Sequence, residues 1–240
     1  MEDARYQAAA WAQVSRAAAS EGTGVSLGIA CRACAEDLEA DALGITLVTA
    51  GELRLTACAT DERAERLEDV QLVTGEGPCT DAFVQGSYVE ADLLAAPARW
   101  PAFAEAAAEV GIRTVAALVL SLGDLRLGAV DFYRSGPRPF TDEQRGRARA
   151  FARVLTLLAL DQHPHLLTTE THPTRPGPQG YPPVVHQAAG ILAAQNGLAV
   201  DDALARLRAH SYSHNQPLLV TAQHVIVGGG LDPGPGDGAE

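Results

Sequence analysis

The sequence predicts an α+β protein in two units: an antiparallel sheet flanked by helices over residues 1–161, then a small three-helix bundle over 184–228. Three observations carry this expectation. Residues 1–161 run through the order helix, strands, helices, strands, helix, which suits an antiparallel sandwich. From Val184 onward, apolar residues recur at i, i+3, i+4 and i+7 in three short segments. Between the two lie Pro164, Pro173, Pro176, Pro178, Pro182 and Pro183 with Gly177 and Gly180. Such a segment cannot be a helix or a central strand, so 162–183 reads as an extended linker.

Along the first unit, Ala8 to Ala19 and Val25 to Leu38 carry helical patterns, and Ala42 to Thr49 and Leu53 to Thr60 form a hairpin around Ala50-Gly51-Glu52. A loop follows, then a short helix from Thr80 to Gln85, a strand at Ser87 to Glu90 and a helix near Ala102 to Glu109. Two strongly apolar strands, Thr114 to Leu122 and Leu125 to Tyr133, turn at Gly123-Asp124. A closing helix starts at Thr141-Asp142-Glu143. In the second unit the apolar stripes are Val185, Ala188 and Leu192, then Val200, Ala203, Leu204 and Leu207, then Leu218, Ala222, Val225 and Ile226. Gly197, Pro217 and Gly228 to Gly230 punctuate them. A bundle of about 45 residues has a thin core and should lean on a partner helix or on dimerisation. The acidic, glycine-rich tail from 229 to 240 is expected to be disordered.

Composition narrows the function. The chain has 240 residues, 47% hydrophobic and 20% charged, with a net charge of −12. All its basic residues are arginine. So negative a chain is a poor nonspecific nucleic-acid binder, because affinity for phosphate grows with the number of cationic contacts. Recognition of a structured RNA by a local patch stays open. Nothing approaches the roughly eighteen apolar residues of a membrane span, and Met1-Glu2-Asp3 lacks the basic start of a signal peptide, so a cytoplasmic protein is expected. Cys31, Cys34, Cys58 and Cys79 are then reduced thiols.

Several motifs have a bland and a chemical reading. Gly75-Glu76-Gly77-Pro78 opens a helix but lacks the Lys-Ser/Thr of a phosphate loop, so it is a turn placing Cys79-Thr80-Asp81 at a helix start. Cys79 there is either a small buried hydrophobe or a reactive thiol. Cys31 and Cys34 have C-x-x-C spacing, but Cys58 and Cys79 stand alone, so no four-cysteine metal centre is expected. Ser211 and Ser213 near His210 and His214 lack an elbow or oxyanion loop, and Asp201-Asp202 suits a helix start. No catalytic residues, metal or cofactor are assigned.

The three helical segments from Val184 to Val227 resemble an ANTAR domain, the RNA-binding output module of bacterial transcription antiterminators. The element order of 1–161, the phrase Gly75-Glu76-Gly77-Pro78-Cys79-Thr80-Asp81-Ala82 and the phrase Pro139-Phe140-Thr141-Asp142-Glu143-Gln144 resemble a GAF domain of the kind that precedes ANTAR domains in actinobacterial regulators. The resemblance implies a signal-sensing unit whose ligand pocket borders Cys79, Thr80 and Asp81, and an output unit that grips two adjacent RNA hairpins. Side chains able to stack on or hydrogen-bond unstacked bases are Gln187, Arg206, Arg208, His210, Tyr212 and Asn215.

Departures from that pattern matter. Ala199 stands where a capping Ser or Thr is usual, and the third helix carries Val220, Gln223 and His224 in place of charged residues. Only Arg206 and Arg208 are basic between 184 and 228. Weak single-site affinity follows, which a homodimer would offset by avidity. The prolines forbid a continuous coiled coil to the sensor unit, so the signal passes through dimerisation, with Ala8 to Ala19 and Arg145 to Leu160 as the dimer face, or through release of a docked bundle. The alternative is a ligand-binding or dimerisation module whose bundle is a protein–protein contact without RNA. A third class is a thiol-dependent sensor or enzyme centred on Cys79.

Overall fold

The computed structural model describes residues 2–48, 54–96, 98–163, 181, 183–214, 216–228 and 230–231, with backbone alone for Arg54 and Pro183. The linker from 164 to 180, the tail from 232, the Ala50-Gly51-Glu52 turn and Asn215 lie outside the described residues. In chain order the elements are α1 (Glu2–Ser20), α2 (Leu27–Asp37), β1 (Ala42–Val48), β2 (Arg54–Ala59), α3 (Glu62–Thr74), α4 (Pro78–Gln85), β3 (Val89–Asp92), α5 (Pro101–Glu109), β4 (Thr114–Leu122), β5 (Leu125–Arg134), α6 (Asp142–Gln162), α7 (Pro183–Asn196), α8 (Val200–Ser213) and α9 (Leu218–Ile226).

The five strands form one antiparallel sheet in the order β2-β1-β5-β4-β3. Alternation along each strand sends side chains to two faces. Leu43, Ile45 and Leu47 of β1 and Val130 and Phe132 of β5 meet α2 and α6 on one face. Ala42 of β1 and Ala129 and Tyr133 of β5 meet α3, α4 and α5 on the other. Covered on both sides, β4 and β5 read as nearly continuous apolar runs. This is the antiparallel α+β layout expected from the sequence, with the three-helix unit following it.

Helix α1 touches α2 and α6 rather than the sheet, burying Ala10, Val14 and Ala18. The apolar surplus on the first and closing helices is therefore used largely within the chain. Helix α6 begins at a capping box in which the Thr141 hydroxyl accepts from the Gln144 N–H and the Gln144 side chain accepts from the Thr141 N–H.

The principal correction is α3. The sequence reading placed a loop between β2 and α4, where the structure has a helix of 13 residues. Asp61 caps its start by accepting from the Ala64 N–H, and Gly75 closes it in the left-handed region. Smaller shifts concern β3, set by its pairing from Val89–Ala117 to Asp92–Thr114, and α4, which starts with Pro78 in its first turn.

Candidate functional site

Helix α3 lies between the sheet and the C-terminal bundle, and each side of it carries a distinct set of contacts. Toward the sheet, Ala64, Leu67 and Val70 pack in the apolar core, while Glu68 and Gln71 are polar yet only 1% and 2% exposed. Glu68 accepts from Thr46 Oγ1 and from the Tyr133 hydroxyl, each at 2.6 Å. Gln71 donates through Nε2 to Asp131 Oδ2 at 2.5 Å and accepts through Oε1 from the Cys79 N–H at 2.8 Å. The Tyr133 hydroxyl also reaches Asp131 Oδ2 at 3.2 Å. The backbone leaves room for this network: a Cβ on Gly44 would sit 2.1 Å from Glu68, and one on Gly77, whose φ is 142°, would sit 2.3 Å from Gln71.

Burial dominates the acid–base character of this cluster. It pushes the Glu68 carboxyl up, against the hydrogen bonds from Thr46 and Tyr133 that favour the charged form. It pushes Asp131 well up, and the adjacent Glu68 carboxyl adds to the effect. The Tyr133 phenol is likewise raised by burial and by its two acidic neighbours.

Toward the bundle, Leu72 and Val73 of α3 join Val185, Leu204, Leu207 and Leu218 in one apolar cluster, with Tyr181 only 1% exposed among them. Two helix ends are capped across this contact. Pro217 offers α9 no side-chain cap, and the Leu218 N–H instead donates to Asp69 Oδ1 of α3 at 3.1 Å. In the other direction Arg208 of α8 donates through Nε to the Val73 carbonyl and through Nη2 to the Thr74 carbonyl at 3.1 Å. Helix ends leave N–H and C=O groups without intrahelical partners, so each unit completes the other's hydrogen bonding. Burial raises Asp69 to about 6, opposed by the Leu218 N–H and by Arg66.

This raised value gives a sign to a test at Asp69. At neutral pH the aspartate carries a desolvation cost that Asn avoids while accepting the same hydrogen bond. Asp69→Asn is expected to hold the bundle at least as firmly as the native chain, whereas Asp69→Ala should weaken docking by about 1 kcal/mol. Hydrogen exchange at the Leu218 amide checks both; equal protection in the Ala variant would remove the cap from the account.

The residues singled out from sequence are placed as follows. Gln187 and Arg206 are exposed on α7 and α8. Arg208, two positions on, faces α3 and is spent on its carbonyls. The Tyr212 hydroxyl donates to Glu105 Oε2 of α5 at 3.2 Å, although the ring is 42% exposed. His210 is half-buried and stacks on His214 with ring centroids 3.9 Å apart. Asn215 lies outside the described residues. Of the pocket candidates, Cys79 is 4% exposed and reaches the buried cluster. Thr80 is half-buried, and Asp81 is ion-paired to Arg99 at 2.9 Å. The Gly75-to-Pro78 phrase is a built turn that ends α3, starts α4 and lends Glu76 to the Ala102 N–H of α5.

Sequence reasoning missed Glu68, Asp69, Gln71, Leu72, Asp131 and Tyr133. The signals available were the Asp61 and Gly75 caps bracketing α3, and one acid, Asp131, inside an otherwise apolar run.

Residues 183–226 match the family model of the ANTAR domain. No curated protein matches the chain. Among solved structures, it is similar to the GAF domain from Acinetobacter phosphoenolpyruvate-protein phosphotransferase, at 14% identity and a TM-score of 0.49 over 65% of this chain and 95% of that one. It is also similar to the GAF domain/HD domain protein from Geobacter sulfurreducens, at 13% identity and 0.42 over 55% and 89%. Likenesses at this level bear on neither activity nor ligand. Among the described residues no helix is long and apolar enough to cross a membrane. The chain thus carries an ANTAR domain at residues 183–226, docked on α3 of a five-stranded antiparallel α+β unit.

Proposed function

We propose that the protein is a signal-responsive antitermination regulator that binds paired hairpin RNA through its C-terminal helices, and that the docked bundle is its RNA-silent form. The observation that supports this most is the use made of Arg208. Its guanidinium, the bundle's best source of a bidentate phosphate or guanine contact, is bonded to the carbonyls that end α3. Tyr212, the stacking candidate, is tethered to Glu105. A signal received by the first unit would free both by loosening α3. The reading assigns no catalytic role and includes a homodimer, because Arg206 and Arg208 are the only basic residues of the bundle and two copies on two hairpins raise affinity by avidity.

The test is retention of cellular transcripts at near-physiological salt by the native full chain and by a Leu72→Glu chain, in which the bundle contact is broken, each with and without Arg206→Ala. Paired-hairpin leaders should be enriched on the Leu72→Glu chain over the native one, and loss of Arg206, which is exposed on α8, should reduce that retention by about 10-fold or more. A second reading, in which the bundle is a protein–protein contact without RNA, is favoured by the docking itself and by the uncharged Val220 and Gln223 of α9. No enrichment from either the native chain or an undocked variant would select it.

A further inference from the structure

Glu68 of α3, Cys79 at the start of α4 and Asp131 of β5 come from distant parts of the sequence, yet one ligand atom from each lies within 4.8 Å of the others. All three are buried, at 1%, 4% and 1% exposure. We propose that these three side chains form a binding site for a divalent transition-metal ion of the zinc or ferrous class.

Four observations carry the site. First, Asp131 Oδ1 is buried and meets no N–H or hydroxyl donor among the described residues, while Oδ2 is served by Gln71 and Tyr133, and the Asp131 and Glu68 carboxyls hydrogen-bond each other through a proton whose place a cation can take. An orphaned carboxylate oxygen at this depth needs a proton or a cation. Second, two carboxyl groups share the same dry space, an arrangement that a divalent ion relieves by direct neutralisation. Third, the donor set discriminates among metals: a thiolate disfavours magnesium and calcium, and two carboxylates disfavour cuprous ion, which leaves borderline ions. Fourth, the donors are already oriented. Gln71 holds the Asp131 carboxylate with its amide nitrogen and the Cys79 backbone with its amide oxygen, while Thr46 and Tyr133 fix Glu68. A tetrahedral centre needs its donors roughly 3.3–3.8 Å apart, so donors that already lie within 4.8 Å of one another close by at most about 1.5 Å to complete the geometry. Three protein ligands leave a further coordination position, the arrangement that admits an external small ligand.

This inference concerns the input side of α3 and stands or fails without reference to RNA. It is tested by titrating the metal-free, reduced full chain with Co2+, then competing with Zn2+. The expected result is one Co2+ per chain with a thiolate-to-cobalt charge-transfer band that Zn2+ removes. Cys79→Ser should abolish the band, while Cys34→Ser and Cys58→Ser keep it. Asp131→Asn and Glu68→Gln, near-isosteric changes, should weaken Co2+ binding by 10-fold or more. Circular dichroism establishes that each variant is folded; should Cys79→Ser fail to fold, the two carboxylate variants decide. No band in the folded native chain, a band that survives Cys79→Ser, or unchanged affinity in both carboxylate variants would overturn the site.

Discussion

Replacing Leu72 by Glu is expected to release the bundle and raise RNA retention by about 10- to 100-fold. Leu72 is 7% exposed, and its burial comes from the bundle rather than from the sheet, since it belongs to the C-terminal apolar cluster and not to the core beneath α3. A carboxylate placed there lies among the apolar side chains of the bundle, and desolvating it costs several kcal/mol, whereas exposure in the undocked form costs little. Each 1.4 kcal/mol shifts the equilibrium tenfold. The first unit keeps its own core and should remain folded. Two readouts are needed: protease accessibility of the bundle's junctions, which reports undocking, and retention of hairpin RNA. Undocking with unchanged retention would refute occlusion as the control and leave the contact without that role.

Gly128→Ala should cost about 3 kcal/mol or more and affect every property of the chain. A Cβ at this position of β5 would lie 2.1 Å from the Thr46 carbonyl oxygen and 2.8 Å from the Leu47 Cα, both backbone atoms of the neighbouring central strand. Side chains at a rim can swing aside, but two paired strands in the middle of a sheet cannot separate locally without losing their ladder, so overpacking here falls at the severe end of its usual range. Urea unfolding of the first unit measures the loss. A midpoint within error of the native one would mean that the strands part more easily than this packing allows. Because β1 and β5 also carry Thr46, Asp131 and Tyr133, the same variant should disturb the buried cluster.

Most helices and strands were legible because their residues obey one periodicity each. The stripes of α7, α8 and α9, the apolar runs of β4 and β5, and the Thr141–Gln144 capping box all announce themselves locally. Helix α3 did not, although its caps were present. Its inward positions include Glu68 and Gln71, so the stripe that should have marked it as helical is interrupted by the two polar residues that build the cluster. Arg208 illustrates the same limit from the other side. Its chemistry suits a phosphate or a carbonyl equally, and only the position of the α3 carboxyl end shows which of them it meets here.

The sequence by itself determined the division into an α+β unit and a helical unit and the type of nearly every element, because these rest on spacing within short windows, and the three-helix pattern placed at 184–228 resembles the ANTAR domain whose family model matches 183–226. The tertiary structure decided which polar residues converge and what the bundle rests on. Glu68, Cys79 and Asp131 meet only when α3 and α4 stack on the sheet face to which β5 contributes Asp131, and Asp69 finds Leu218 across 149 positions of chain. Such contacts depend on how elements pack against one another, and no local pattern of residues encodes that.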